Sequence, residues 1–338
     1  LNPKKIAAAI REANGNKAEA ARLLGIPRST LRYYSDRVVG AQPDAVADVE
    51  LPQIPDEDIP VEEIIDGMVV RFKKRQEYFN ARQWMKFKIK DDKPIGICWF
   101  GDPHVDNNGC NWGLLKEHCE ILRTTEGMYG ASIGDHTDNW VGRLTRLYAH
   151  SDQSRTTAIR LAEWFIRDSG VRWLLLLRGN HDMWSSTRHD DPLHWIANGV
   201  GAPMEDWSAR IKLEFPNGRI GKVHAAHNFK GHSQWNTLHG LQKAAHMKED
   251  ADLYVAGHTH NWALHQEESA SRDFTYWLAR CRGYKFLDEY ADVLGYLPQQ
   301  GGASIVSVFD PNAEGSGFVQ CFADVASAAR YLTWLRSQ

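Results

Sequence analysis

Five short stretches of the chain end in side chains that can hold a metal or move a proton. They are "GDPHVD" (Asp102, His104), "GDHTD" (Asp135), "GNHD" (Asn180, His181, Asp182), "HAAHNFKGH" (His227) and "GHTH" (His258, His260). Carboxylate, amide and imidazole are donors that divalent metals accept, and two metals close together need a carboxylate to bridge them. Asp-x-His and His-x-His pairs at a strand end put both side chains on one face, because strand side chains alternate. Neutral imidazoles with only two carboxylates leave such a cluster cationic, which suits a phosphate. A water held there loses its proton more readily and becomes the nucleophile. One stretch alone could be a capped, solvated loop. Five in succession, each closing an apolar run, point to one shared site.

The elements that must position these groups lie just upstream. "IGICWFGD", "MYGASIGD", "VRWLLLLRGN", "GKVHAAH" and "ADLYVAGH" read as strands. The leucines from Leu174 to Leu177 predict a strand buried on both faces, as in a parallel sheet. Ligand sites of open α/β sheets lie at the carboxyl ends of strands, where these polar groups fall. Helical stretches at Trp112 to Arg123, Arg155 to Asp168 and Gln234 to Met247 alternate with the strands, predicting an α/β domain. Beyond about Ser271 the chain adds strand-like content expected to complete a second sheet. Arg280, Arg282, Tyr284 and Lys285 there lie either beside a phosphate-binding cleft or on a salt-bridged surface.

In the fourth stretch His224, His227 and His232 compete for one ligand place. Alternation sets His224 opposite His227, and His227 stands at the strand end, so it is the expected ligand. His232 follows on the loop, a candidate contact for substrate, and His224 reads as a packed histidine. His136 and His265 are assigned structural roles. Asp106, Asp138 and Asn139 are assigned to solvent or to supporting the ligands.

At 338 residues the chain has room for a large domain and a smaller one, and its 43% apolar and 25% charged content is that of a soluble globular protein. No apolar run suits a membrane span or a signal peptide. Five scattered cysteines without a C-x-x-C pair suit a reducing, cytoplasmic setting. Charge is distributed in blocks. Residues 1–39 carry eight Lys/Arg against three Asp/Glu, residues 40–66 nine acidic groups and no basic one, and residues 71–90 eight basic residues against Glu77. This predicts a module at 1–39 that faces nucleic acid, an acidic, proline-punctuated linker at 40–60, a basic aromatic helix within 61–93, and a catalytic domain at 94–338. The helix is expected to run from Val61 to about Lys86, anchored on the next domain by Phe72, Tyr78, Phe79 and Trp84, with a grip on nucleic acid by the same basic and aromatic residues as the alternative.

Residues 2–38 read as three short helices, with Pro3 opening the first and Gly25-Ile26-Pro27 turning before the third. "AARLLGIPRSTL" resembles the Fis-type helix-turn-helix family, departing from it at Pro27, where that family usually has a Ser or Thr cap. The resemblance implies that Arg28, Ser29 and Arg32 enter the major groove of DNA. A small helical bundle for protein contact is the alternative. Modules of this kind read paired half-sites, which makes a homodimer one expected assembly.

Taken in order, the five stretches resemble the calcineurin-like metallophosphoesterases over about residues 95–270. That resemblance implies a double β-sandwich flanked by helices, with two divalent metals at the sheet edge. Mn²⁺ is the first expectation and Zn²⁺, Fe²⁺ or Ni²⁺ the alternatives. It further implies that Asp102, His104 and His260 hold one metal, that Asn180, His227 and His258 hold the other, and that Asp135 bridges. His181 would protonate the leaving oxygen or stabilise the phosphate, oriented by Asp182. "GDHTDNW" lacks the Arg-Gly that protein Ser/Thr phosphatases of the superfamily carry, and Asp182 replaces their Glu. The superfamily also contains DNA repair nucleases, and the pairing with a helix-turn-helix resembles phage or prophage proteins. The expected activity is therefore in-line hydrolysis of DNA phosphodiesters. The alternatives are a phosphomonoesterase tethered to DNA and an inactive DNA-binding regulator.

Overall fold

A computed structural model of the chain describes residues 3–38, 58–184, 191–247, 250–269, 274–287 and 301–338. Most of the expected linker, residues 39–57, lies outside the described residues. Two compact units are present, Leu1–Val70 and Arg71–Gln338. Among the described residues, no helix is long and apolar enough to cross a membrane.

In the first unit α1 (Pro3–Glu12), α2 (Lys17–Leu23) and α3 (Arg28–Val38) enclose Ile6, Ala9, Ala13, Ala20, Ala21 and Leu31. Asn16 caps α2, its side chain accepting from the N–H groups of Ala18 and Glu19 at 3.1 and 3.4 Å. Gly25 takes the left-handed conformation (φ 63°) that the turn into α3 requires. Leu31 is buried while Arg28, Ser29 and Arg32 are exposed.

α4 (Val61–Arg82) departs from expectation twice. None of its residues is buried, and Phe72 and Phe79 are 65% and 66% exposed; of the four expected anchors, Trp84, just past the helix end, packs against the core that holds Tyr254 and Leu241. The helix also stops at Arg82, whose guanidinium pairs with Glu205. Met85–Lys88 is a strand, β1, parallel to β6 (Ser208–Glu214). Its apolar and basic residues alternate with period two, so Met85 and Phe87 turn inward while Lys86 reaches Glu214 at 3.4 Å. That alternation outweighs the helical pattern before it.

The second unit contains two six-stranded sheets. One has the order β1, β6, β7 (Ile220–Ala226), β8 (Leu253–Ala256), β10 (Phe274–Arg280), β9 (Ala263–Ser269). The other runs β12 (Val319–Phe322), β11 (Ser304–Phe309), β2 (Ile95–Phe100), β3 (Met128–Ser132), β4 (Trp173–Arg178), β5 (Met204–Asp206). Strand alternation builds the layers. Ile95, Ile97, Trp99, Leu175 and Leu177 join Ile211, Val223, Leu253 and Val255 in the core between the sheets. Cys98, Phe100 and Leu176 face outward into a second core with residues of α5 (Trp112–Thr124), α6 (Arg155–Glu163), α8 (Pro192–Asn198) and α10 (Val325–Arg336). Tyr254, Ala256 and Leu278 pack with Leu241 and Ala245 of α9 (His239–Met247). The result is the expected β-sandwich flanked by helices. As predicted, β4 lies between parallel neighbours β3 and β5. Helix α9 starts later than its sequence pattern suggests, and α6 continues as a π turn over Trp164–Asp168.

His118 on α5 is buried with its Nδ1 2.6 Å from the Tyr284 hydroxyl, which lies 2.6 Å from Ser304 Oγ. Burial pushes the His118 imidazole down to about 4, so it folds neutral. Between its ordinary value near 6.5 and about 4 the unfolded chain binds the extra proton, and stability falls as pH drops through that window. Denaturant titration from neutral pH to pH 4 should show His118→Gln gaining on the wild type by up to about 3 kcal/mol. A difference that does not move with pH would overturn this account.

Candidate metal centre

Each strand delivers its donors just past its own end. Asp102 and His104 follow β2, and Asp135 follows β3. Asn180 and His181 open the one-turn helix α7 (Asn180–Met183) after β4, His227 follows β7, and His258 and His260 follow β8. His104, Asp135, His258 and His260 have φ of 40°, 50°, 72° and 50°. Left-handed backbone in such residues costs about 1–3 kcal/mol each and collects where geometry serves a ligand. The motif glycines provide room. A Cβ on Gly179 would run into Asp135 and His227, and one on Gly257 would lie 2.7 Å from Asp102 Oδ1.

Three overlapping groups of donors result, each with its ligand atoms within 4.8 Å of one another. They are Asp102, His104 and His260; His104, Asp135 and His181; and Asp135, His227 and His258. Asn180 adjoins the last group, its Oδ1 2.9 Å from His227 Nε2. His227 Nε2 is also 3.0 Å from His258 Nδ1 and 3.3 Å from Asp135 Oδ2. The fold thus brings together all the side chains assigned to metal from sequence, with Asp135 shared between two groups.

The donor set fits a divalent cation. Asp102 Oδ1 and His104 Nε2 are buried without a hydrogen bond, and such orphaned atoms call for an ion or water. Burial opposes charge on Asp102 and Asp135, yet His227 and its neighbouring imidazoles hold both carboxyls below the usual carboxylate range. Burial likewise opposes charging His227, but Asp135 and Asp102 outweigh it and raise the ring to about 9. The paired carboxylates therefore demand positive charge between them, which a proton on His227 supplies in part and a metal would supply more fully. Burial lowers both His181 and His258, the former with help from His104 and the latter from His227.

Asp182 is not where sequence reasoning put it. Its carboxylate accepts from Gly179 N–H at 2.9 Å and from His136 N–H at 3.0 Å, and faces His136 Nδ1 at 3.1 Å. It caps the start of α7, and that turn carries it away from His181. His181 is instead held through Nδ1 by the main-chain carbonyl of Asp138, and its N–H donates to Asp135 Oδ1 at 2.9 Å.

Of the two roles expected for Asp138, solvent contact or support of the ligands, the structure gives it the second. Its carboxylate lies 2.8 Å from His104 Nδ1 and accepts from Asn107 Nδ2 at 2.6 Å. It thus orients one candidate ligand by its side chain and His181 by its carbonyl. The signal was the second Asp of "GDHTD". Asp106 accepts from Asp138 N–H at 2.8 Å and Asn139 donates to the His181 carbonyl at 2.7 Å, so all three support the site from buried positions rather than facing solvent.

His224 packs against the rings of Phe229 and Tyr254, as expected. His232 is exposed on its loop, outside all three donor groups. Arg280 is buried and donates to the carbonyls of Gly257 and Thr237 at 2.5 and 2.9 Å, tying the "GHTH" turn to the loop after His227. Arg282 is buried over the Phe286 ring at 3.7 Å, Tyr284 is fully buried, and Lys285 Nζ lies 5.9 Å from the Trp140 ring. Arg280, Arg282 and Tyr284 are therefore buried rather than laid on a surface.

Residues 4–33 match the family described as bacterial regulatory protein, Fis family. No curated protein matches the chain. Among solved structures it is similar to the NAD nucleotidase NadN of Haemophilus influenzae, with 8% identity over 68% of this chain and 49% of that one and a TM-score of 0.37. This chain therefore spans about half the nucleotidase's length. It is also similar to GAP50, the anchor in the inner membrane complex of Plasmodium, with 10% identity over 72% of this chain and 95% of that one and a TM-score of 0.34.

The Asp138–His104 contact makes a direct prediction. Asp138→Asn should weaken divalent-metal binding, measured by calorimetric titration, by about 10- to 100-fold. Unchanged affinity would remove Asp138 from the support of the cluster.

Proposed function

We propose that the chain is a dinuclear-metal phosphodiesterase acting on DNA, placed on its substrate by the Fis-type helix-turn-helix. The convergence of overlapping donor groups on a shared Asp135, at the ends of five strands from two sheets, carries this reading. Asp102, His104 and His260 would hold one cation, and Asn180, His227 and His258 the other, with Asp135 between them. The carboxylate and amide oxygens suit Mn²⁺, and the imidazoles suit Zn²⁺, Fe²⁺ or Ni²⁺ as well. When bound, such ions supply Lewis acidity toward phosphoryl oxygens and make water a stronger acid.

The chain's own part is to position groups and move a proton. Asp138 fixes His104, and Asp102 accepts from His258 N–H at 2.6 Å, so ligand and backbone hold one another in place. Because His181 Nδ1 is engaged by a carbonyl oxygen, Nδ1 carries the proton in the neutral ring. Nε2 then faces the centre, 3.9 Å from Asp135 Oδ2, as the ring's acceptor nitrogen; it would take up a proton there and pass it to a leaving oxygen, with Asp135 and Asp138 offsetting in part the burial that opposes the charged ring. The rings of Trp140 and Trp184 lie 4.8 and 4.2 Å from the His181 ring and limit its access to water. Support for DNA comes from the Fis-family match, the basic excess of residues 1–39 and the exposure of Arg28, Ser29 and Arg32 on α3.

The test is Mn²⁺-dependent cleavage of single- and double-stranded DNA, linear and circular, by wild type and His181→Ala, with metal content measured on each. Cleavage should fall by roughly 10²- to 10⁴-fold in the variant. DNA left intact by a wild type that hydrolyses a phosphomonoester would replace this reading with a DNA-tethered phosphomonoesterase. Bound metal without turnover of either would leave a DNA-binding regulator.

A further inference from the structure

Indole rings border the donor cluster on two sides. The Trp207 ring lies 5.3 Å from that of His227 and 6.4 Å from that of His258. Beside His181 stand Trp140 and Trp184, 6.1 Å from each other and both half-buried.

Trp207 is the more informative because nothing in the fold asks for an indole there. It is the single residue between β5 of one sheet and β6 of the other. Its N–H donates to the Arg178 carbonyl at 3.1 Å, and its own carbonyl accepts from His227 N–H at 2.7 Å. These main-chain bonds fix it at φ 64°, a conformation that glycine or asparagine adopts easily and a bulky side chain does not. Core packing does not explain the ring either, since the residue is 38% exposed. The chain thus holds a flat aromatic surface half in solvent, in a disfavoured backbone conformation, against two candidate ligands. Strain of this kind collects at functional sites.

We infer that Trp207 is a stacking platform for a nucleobase next to the scissile phosphate, with the Trp140–Trp184 pair serving the base on its other side, so that the strand enters unpaired. The inference rests on the phosphodiesterase reading above. Every base presents a π face, and an aromatic platform takes it with little regard to sequence. In a duplex both faces are already covered by neighbouring base pairs, so the platform selects single-stranded segments. Lys285, with its Nζ 5.9 Å from the Trp140 ring, places a cation on the same side, where the strand's next phosphate would pass.

Thymidine 5′-(p-nitrophenyl phosphate) and methyl p-nitrophenyl phosphate share a leaving group and differ in the nucleoside, which makes their kcat/KM ratio the readout. In Trp207→Asn, which suits the left-handed backbone but lacks the ring, the preference for the nucleoside diester should fall by about 5- to 150-fold, mainly through KM. Trp207→Phe should restore most of it. Equilibrium binding of a labelled oligothymidine by the full chain should weaken with the same substitution, while binding of a duplex should not.

Equal loss on both diesters, accompanied by lost metal, would overturn the platform and reassign Trp207 to holding His227. An unchanged ratio with unchanged oligothymidine binding would overturn it outright. Failure of the wild type to hydrolyse either diester would instead sink the phosphodiesterase reading, and the oligothymidine measurement would still decide whether Trp207 binds a base.

Discussion

Two carboxylates, Asp102 and Asp135, are buried in one small volume at the edge of the sandwich, and positive charge must be kept beside them. The surrounding structure follows from that demand. Imidazoles arrive from the ends of different strands because no single strand can aim more than two side chains at one point. Reaching the same point forces His104, Asp135, His258 and His260 into left-handed backbone, and glycines stand beside them because a Cβ would collide with the carboxylates. A histidine ring aimed at such a centre needs its other nitrogen held, and Asp138 does this for His104 and His181.

Strained turns persist only on a rigid base, and the sandwich provides it. The core between the sheets contains residues such as Ile97, Trp99, Leu175 and Leu177, all fully buried, and each buried side chain of this size contributes about 1.5–3 kcal/mol. Trp99 satisfies its one polar atom by donating to Ser307 Oγ at 2.9 Å. Arg178, at the end of β4, pairs with Asp191 and Asp206 and so joins β4 to the edge strand β5, immediately before the chain crosses to the other sheet at Trp207. The crossing and the candidate centre share this anchoring, since the carbonyl of Trp207 holds the backbone of His227.

The fold departs from the sequence pattern where neighbours distant in the chain decide the outcome. The metallophosphoesterase resemblance implies that Asp182 orients His181, whereas a helical start turns consecutive side chains in different directions and sends Asp182 back to Gly179 and His136. The helical pattern from Val61 ends at Arg82 because "MKFKIK" alternates with the period of a half-buried strand. The α4 rings were expected to pack because aromatics usually do. Whether a face is covered depends on what lies opposite, and no local pattern records that.

The amino-acid sequence by itself determined the α/β alternation, the helix-turn-helix module and the placing of His227 at a strand end with His224 packed on the opposite face, because side-chain periodicity and strand-end position are local properties. It also named the side chains that converge. Tertiary structure alone decided which donors share a group, that Asp138 rather than Asp182 orients His181, and that Arg280 is buried beneath the "GHTH" turn. It alone set Trp207 between the two sheets, its ring against His227. Each of these depends on where two strands distant in sequence end relative to one another, a distance set by sheet order and the packing of one sheet on the other.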